Sequence, residues 1–516
     1  MTFAIENMTT ALAERDAQIA ELSRLVQSLQ ATIQRQQVTI NDLIRMLYGK
    51  RSEKLDPNQI LMESLIIDAT GAASPDTQLI PAPVAEEPTT PKRKSQHRGR
   101  VPFPEHLPHE EVIIPVAEED KVCPESGEPR QFMGYEESKK LDYVPETLKV
   151  VVYKREKWGS PVGAEEEGVV TAPRPEAAVE CMADTGLLAQ VVISKFEDHL
   201  PLYRQERVFA RQGVAVTRQT MAGWACGVAN AVRPVVRLMR SRILDGPYVH
   251  HDDTPVKMLD PGAGKTKETR LWVAVGGDQQ QYVHFEFTTN RSNDGPVRFF
   301  RDYVGHLMCD EYSGYSAVCG EDSQVIGLSC WAHARRYFDK AKLVESEAAT
   351  RILAMIAQLY HIESLYREKG LDDLGRARIE QSRPQLERIK EALEADRQKW
   401  LPQSPMAKAT EYVLKRWDAF TRYTTNPVLP IDNNAAERAV RAVAIGRKNW
   451  LFLGSENGGD TAAILMSIIG TAHHLGMNSW MYLNDVLKRL PSTPEDQLDQ
   501  LLPDVWLSNN PKAKIQ

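Results

Sequence analysis

The chain lacks any pair of cysteines in CxxC spacing. Its six cysteines, Cys123, Cys181, Cys226, Cys309, Cys319 and Cys330, are scattered over 516 residues. This pattern fits reduced thiols in a cytosol and not a disulfide framework. No stretch approaches the roughly 18 apolar residues of a membrane span, so no membrane partner is expected. The opening MTFAIENMTTALAERDAQ has neither a basic start nor an apolar run, so a secretory signal is not expected. Basic charge is not in excess either: 63 Lys and Arg against 70 Asp and Glu give a net charge of −7. That argues against a generally basic nucleic-acid binder and leaves local patches as the route to DNA.

What is present is long and ordinary in composition. With 42% hydrophobic and 26% charged residues, the chain reads as a soluble globular protein of three or more domains. The first block, residues 1–60, reads as a coiled coil. Leu12, Ile19, Val26, Ile33, Ile40 and Leu47 recur every seven residues, with Leu22, Leu29 and Leu43 between them and Arg15 and Gln36 as interruptions. Such a seam needs a partner helix, so homo-oligomerisation through residues 10–48 is expected; packing on the chain's own core is the alternative. Residues 61–100 form a flexible linker that holds five prolines between 68 and 100 and closes on KRKSQHRGR, a basic arm suited to phosphates or simply a solvated linker end.

Residues 101–190 read as a small β-rich module, because LDYVPETLKVVVYKREKW alternates apolar and polar residues. Residues 191–245 read as helix, Gly213 turn, helix. Thr217 is the expected N-cap, with Val208, Val214, Met221 and Trp224 as the small core and Arg207, Arg211, Arg218 and Gln219 pointing outward. A DNA-reading helix-turn-helix and a plain helical hairpin both fit. In residues 246–342 the period changes: three consecutive strand-like runs are followed by alternating helix and strand, which predicts a mixed sheet flanked by helices. Residues 343–430 are helical again. Ile352, Ile356, Leu359 and Tyr366 line one helix, and Ser404 with Pro405 opens another. Residues 431–480 carry the next conspicuous motif, and 481–516 form a helical tail.

Three acidic residues stand out. Asp252 lies in HHDDT, at the end of the first strand-like run; Asp310 lies in MCDEY, at the end of the fourth; Glu437 lies in DNNAAER, about one turn into a helix. Three carboxylates from distant places can clamp two hard cations, and oxygen ligands suit Mg²⁺ or Mn²⁺. Each also has a plain alternative: turn former for Asp252 and Asp253, polar strand end for Asp310, and capping-box partner of Asn434 for Glu437. Arg438, Arg441, Arg447 and Lys448 follow Glu437 closely, which makes sense beside carboxylates if the substrate is a polyanion. Trp450 and Phe452 suit either base stacking or the core.

Seven stretches carry a resemblance: YGKRSEKL (48–55), RGRVPFPEHLP (98–108), HLPLYRQERVFARQG (199–213), HHDDTPV (250–256), CDEYSGY (309–315), CWAHARRYF (330–338) and IDNNAAERAVRAVAIGRKNWLFLGS (431–455). Through them the chain resembles the insertion-sequence-66 family of bacterial transposases over nearly its full length. The resemblance implies a multidomain α+β protein: an N-terminal leucine-zipper-like coiled coil, a small zinc-finger segment, a helix-turn-helix, and an RNase-H-like catalytic domain with a helical insertion. It implies that the family's Asp-Asp-Glu triad falls on Asp252, Asp310 and Glu437. Departures exist. Cys123 is paired with Ser126, and Ser160 and Gly163 stand where the second cysteine pair would be, so zinc is not expected. Asp253 stands where the family favours Glu, and His251 where it favours a small residue.

The expected function is therefore a DDE-type transposase. It would bind the terminal inverted repeats, cleave DNA with divalent metal and join the ends to target DNA, with small accessory proteins as plausible partners and a cytoplasmic, nucleoid-associated location. A catalytically inactive DNA-binding relative or regulator is the alternative. A Holliday-junction or RNA–DNA nuclease on the same fold fits the helical insertion and the helix-turn-helix less well.

Overall fold

The computed structural model describes residues 176–310, 312–320 and 323–515, with short stretches at 148, 150–151, 157–159 and 169–171. The expected coiled coil, the basic linker, and Cys123, Ser126, Ser160 and Gly163 lie outside the described residues. From the expected β-rich module, β1 (Lys157–Gly159) and β2 (Val169–Thr171) pair antiparallel, with Trp158 opposite Val170. Everything that follows belongs to the compact unit that contains Lys154–Gln516.

Three helices come first: α1 (Thr185–Phe196), α2 (Leu202–Arg211) and α3 (Arg218–Leu244). Gly213 turns the chain between α2 and α3 at φ 79°, a conformation glycine adopts without strain. Thr217 caps α3 by accepting a hydrogen bond from the Thr220 amide at 3.2 Å. The core between these helices differs from the expected set. Met221 and Trp224 are buried, but Phe209 and Val216 fill the positions expected of Val208 and Val214, which are only half-buried. Arg207, Arg211, Arg218 and Gln219 are all exposed.

The chain then builds a five-stranded sheet from β3 (Tyr248–Asp260), β4 (Lys265–Gly276), β5 (Val283–Thr288), β6 (Gly305–Cys309) and β7 (Val325–Ser329). Their spatial order is β5-β4-β3-β6-β7. The first three form an antiparallel meander, and β6 and β7 add in parallel beside β3. The parallel additions need crossovers, supplied by α4 (Asp294–Phe299) and a 3-10 turn at Ser313–Ala317. From Leu271 to Gly276, β4 is buried without interruption, as a strand covered on both faces should be.

The outer edge of β5 is covered by α12 (Glu456–His474). Ser467 accepts from the Phe285 amide at 2.8 Å and Thr471 from the Val283 amide at 2.9 Å, which satisfies an edge that would otherwise invite another strand. The approach is close: a Cβ on Gly459 would lie 2.6 Å from the Phe287 ring.

After β7, α5 (Trp331–Ala341) leads into a helical insertion of α6 (Ser346–Arg367), α7 (Leu371–Ala377), α8 (Arg383–Asp396), α9 (Pro405–Leu414) and α10 (Trp417–Thr421). Ser404 caps α9 through the Ala407 amide, with Pro405 at the first helical position. Ile352, Ile356 and Leu359 of α6 join Trp331, Phe338, Leu386, Val413 and Phe420 in one core that reaches Tyr248, Met308 and Leu328 on the sheet. The insertion ends where it began. Ile431 accepts from the Trp331 amide at 3.2 Å, and α11 (Asn434–Trp450) starts three residues later. The tail adds α13 (Ser479–Arg489) and α14 (Pro503–Asn509).

Candidate active site

Asp252 is not at a strand end, as its surroundings suggested, but at the fifth of the thirteen residues of β3. Pairing of β3 with β6 stops at His250 and Met308, whereas pairing with β4 continues to Asp260 and Lys265. Past His250, β3 has therefore lost its neighbour on one side. Asp310, the first residue beyond β6, sits at that vacated edge. Side chains alternate along a strand. Asp252 therefore shares the face of Tyr248 and His250, and Asp310 that of Met308.

The N-terminus of α11 is pinned to the same edge by Asn433, which is fully buried. Its Nδ2 donates to the His251 carbonyl at 2.9 Å, its Oδ1 lies 3.1 Å from His250 Nδ1, and its amide donates to Cys330 Sγ at 3.2 Å. One residue thus ties together β3, the start of α5 and the start of α11. Glu437 follows one turn later. It does not cap its helix: the Asn434 amide donates to Asp432 Oδ1 at 3.0 Å, while both Glu437 oxygens bond Arg336. His333 Nδ1 lies 3.7 Å from Glu437 Oε1.

Asp310 and Glu437 are near enough to affect Asp252. Burial pushes the Asp252 carboxyl up to about 7; the Asp253 amide, 2.8 Å from Oδ1, pulls it down, and the charges of Asp310, Asp253 and Glu437 push it up again. Like charges thus act on Asp252 in a partly dry setting. Carboxylate oxygens in general are donors suited to a hard divalent ion. Among the described residues, the ligand atoms that lie within 4.8 Å of one another are those of Cys330, His333 and Glu437, a group that Asp252 and Asp310 do not join. Burial holds the Cys330 thiol at about 12, in its neutral form.

Asp253 points to the other face and is an ion-pair centre. It bonds Arg270 Nη1 at 3.1 Å and Arg291 Nη2 at 2.7 Å, and only 2% of its side chain is exposed. His251 is buried among Trp272, Phe299, Phe300 and Tyr315 and pairs with the Tyr315 hydroxyl at 2.8 Å.

On α11, Arg438, Arg441 and Lys448 line the helix beyond Glu437, and all three are exposed. Arg447 is not simply a surface cation: its Nη1 donates to Thr254 Oγ1 at 3.2 Å and to the Pro255 carbonyl at 2.7 Å, docking the helix on β3. Trp450 is half-buried, its Nε1 2.7 Å from where a Cβ on Gly446 would lie, and Phe452 is exposed. Arg207, Arg211 and Arg218 sit on α2 and α3, elements separate from the carboxylates. Sequence reading missed Asn433, Arg336 and Arg291. The only local signals were the doubled Asn of DNN and the basic residues of CWAHARRYF.

Among the described residues, no helix is long and apolar enough to cross a membrane. Residues 180–461 match the family model described as Transposase IS66 family. Residues 35–112 match one described as Transposase C of IS166 homeodomain, and residues 467–503 the IS66 C-terminal element. Similar chains occur in Sinorhizobium fredii (strain NBRC 101917 / NGR234). Its uncharacterized protein y4jD is 33% identical over 506 residues, covering 95% of this chain and 96% of that one. Its uncharacterized protein y4qI is 31% identical, covering 95% and 92%. With its central, N-terminal and C-terminal segments all matched, the chain belongs to the IS66 family of transposases.

Proposed function

We propose that this transposase cuts and joins DNA at a two-metal site formed by Asp252, Asp310 and Glu437 on an RNase-H-like sheet. The observation that supports the reading is that the charges of Asp310, at the end of β6, and Glu437, on α11, both act on the buried Asp252 carboxyl of β3, which burial above all pushes up to about 7. Mg²⁺ or Mn²⁺ held there would activate the attacking water or DNA 3′-hydroxyl and stabilise the leaving oxygen. The protein's part would be to fix the ligands: Asp252 and Asp310 each lie two residues past the last β3–β6 pair, His250 with Met308, and Asn433 ties the start of α11 to β3. Arg438, Arg441 and Lys448 lie on the helix that carries Glu437 and would guide the phosphate backbone.

In this reading Arg207, Arg211 and Arg218 bind the terminal inverted repeats, and residues 10–48 join copies of the chain. The protein works in the cytoplasm at the nucleoid, with small accessory proteins of the element as further partners. The test uses duplexes carrying the element's own ends. Alanine at Asp252, Asp310 or Glu437 should abolish Mg²⁺-dependent cleavage and leave end binding intact. Binding without cleavage by the parent protein under any divalent ion would identify a regulator and overturn the catalytic reading.

A further inference from the structure

We propose that Arg291 is a phosphate-binding residue of the catalytic centre and that Asp253 is the positioning residue that holds it there. The inference rests on the DNA-cleavage reading above. Arg291 lies in the loop between β5 and α4, where an arginine would ordinarily be mobile. Here it is held on several sides. Its Nε and Nη2 donate to Asp253 Oδ1 at 3.2 and 2.7 Å. Its guanidinium lies 4.0 Å from the centre of the Tyr312 ring, and the Tyr312 hydroxyl bonds the Arg291 carbonyl. Tyr312 is itself tied to the centre, because its amide donates to Asp310 Oδ1 at 3.1 Å. Arg291 Nη2 then comes within 4.0 Å of Asp310 Oδ2.

This arrangement does more than neutralise a buried acid. Asp253 already has Arg270 on its other oxygen at 3.1 Å. A second arginine that only balanced charge could sit anywhere around Asp253. This one reaches round the end of β6 to the carboxylate proposed to hold metal, and 37% of its side chain remains open to solvent. Asp253 engages Nε and Nη2, which leaves the Nη1 amino group outside that pair. A planar donor fork, fixed before substrate arrives, is suited to an anionic oxygen at the cation site. The ligand class is a phosphodiester of the DNA strand next to the scissile bond.

Binding of a nicked element-end duplex in Ca²⁺, measured by titration, reads this interaction without cleavage. Each phosphate flanking the nick is replaced in turn by an uncharged methylphosphonate. For the parent protein, one position should weaken binding about tenfold, the scale of a charge-assisted hydrogen bond. Arg291→Gln should weaken binding to the unmodified duplex by a similar factor and show no further weakening when that one phosphate is neutralised. Asp253→Asn should reduce the same coupling without affecting the other positions. If Arg291→Gln fails to fold, Arg291→Lys, which retains the charge for Asp253, should fold and show the coupling reduced several-fold. Effects that multiply independently at every position, or a parent-like Arg291→Gln, overturn the proposal. Parent cleavage in Mg²⁺ that is absent in Asp252→Ala, with no coupled phosphate, rejects this inference alone. A coupled phosphate without cleavage rejects the catalytic reading alone, and a parent that does not bind the ends rejects both.

Discussion

The guanidinium of Arg336 spans both carboxylate oxygens of Glu437, at 3.1 and 2.5 Å, across 101 residues of chain. Both Glu437 oxygens are therefore engaged by Arg336 and are not spent on capping α11. Both partners are partly open to solvent, with 40% of the Arg336 and 23% of the Glu437 side chain exposed, so the pair adds at most about 1 kcal/mol to stability. Glu437→Gln should then leave the thermal midpoint within a few degrees of the parent. Cleavage should fall by roughly 100-fold or more if the charge is needed for metal. A Gln variant that cleaves at the parental rate would remove Glu437 from the proposed centre.

The exposed arginines of α2 and α3 make a separate forecast. Arg211 and Arg218 lie on either side of the Gly213 turn, and neither belongs to an ion pair among the described residues. Replacing both with Ala should weaken end binding. It should also lower the slope of log affinity against log salt by about one for each phosphate that the protein no longer neutralises. An unchanged slope in a salt series would place the DNA elsewhere on the protein.

Much of this fold could be read from the chain, and the reason is local. The strands of the sheet announce themselves by runs of Val, Phe and Trp, and Thr217 and Ser404 are caps whose chemistry is complete within three residues. The position of Asp252 was misjudged because the flanking HHDD looks like a strand's end. Only the early stop of β6 makes this mid-strand residue border an open edge, and the length of a partner strand is not written beside Asp252. Asn433, Arg336 and Arg291 were invisible for the same reason. Their partners are 183, 101 and 38 residues distant, and spacing carries no signal over such separations. The carboxylates stood out through the motifs around them, HHDDT, MCDEY and DNNAAER, and through the resemblance those motifs carry.

The helical insertion is closed by a buried charge. A π-helical turn at Arg378–Ser382 joins α7 to α8 and carries Arg378 inward, where none of its surface is exposed. Its Nε and Nη2 bond both oxygens of Glu363 at 2.7 Å, and the remaining donors satisfy the carbonyls of Tyr423, Asn426 and Leu429. Those carbonyls lie on the segment that returns the chain to α11. Arg378→Met should cost about 3–5 kcal/mol, because three carbonyls lose their partner in a dry core and Glu363 keeps only Arg367. Denaturant titration would measure this. A destabilisation below about 1 kcal/mol would mean that water replaces the guanidinium.

His284 on β5 is held neutral: burial, with the charge of Arg240 adding to it, lowers its pKa to about 3. Its Nδ1 is sealed from solvent without a hydrogen-bond partner, and the Phe299 ring lies 5.6 Å away. The unfolded chain takes up this proton near pH 6.5, whereas the folded protein resists it down to about 3. The sign follows from the extra proton on the unfolded side. Stability is complete above about pH 6.5 and declines as the pH falls toward 3. The limiting slope is about 1.4 kcal/mol per pH unit, and the half-buried state of the side chain keeps the real slope below it. His284→Phe keeps a planar ring against Phe299 and removes the titration. Urea unfolding at several pH values between about 4 and 7 should then show a shallower acid decline than the parent and a higher stability near pH 5. Parallel curves for the two proteins would mean that His284 takes up its proton in the folded state as readily as in the unfolded chain.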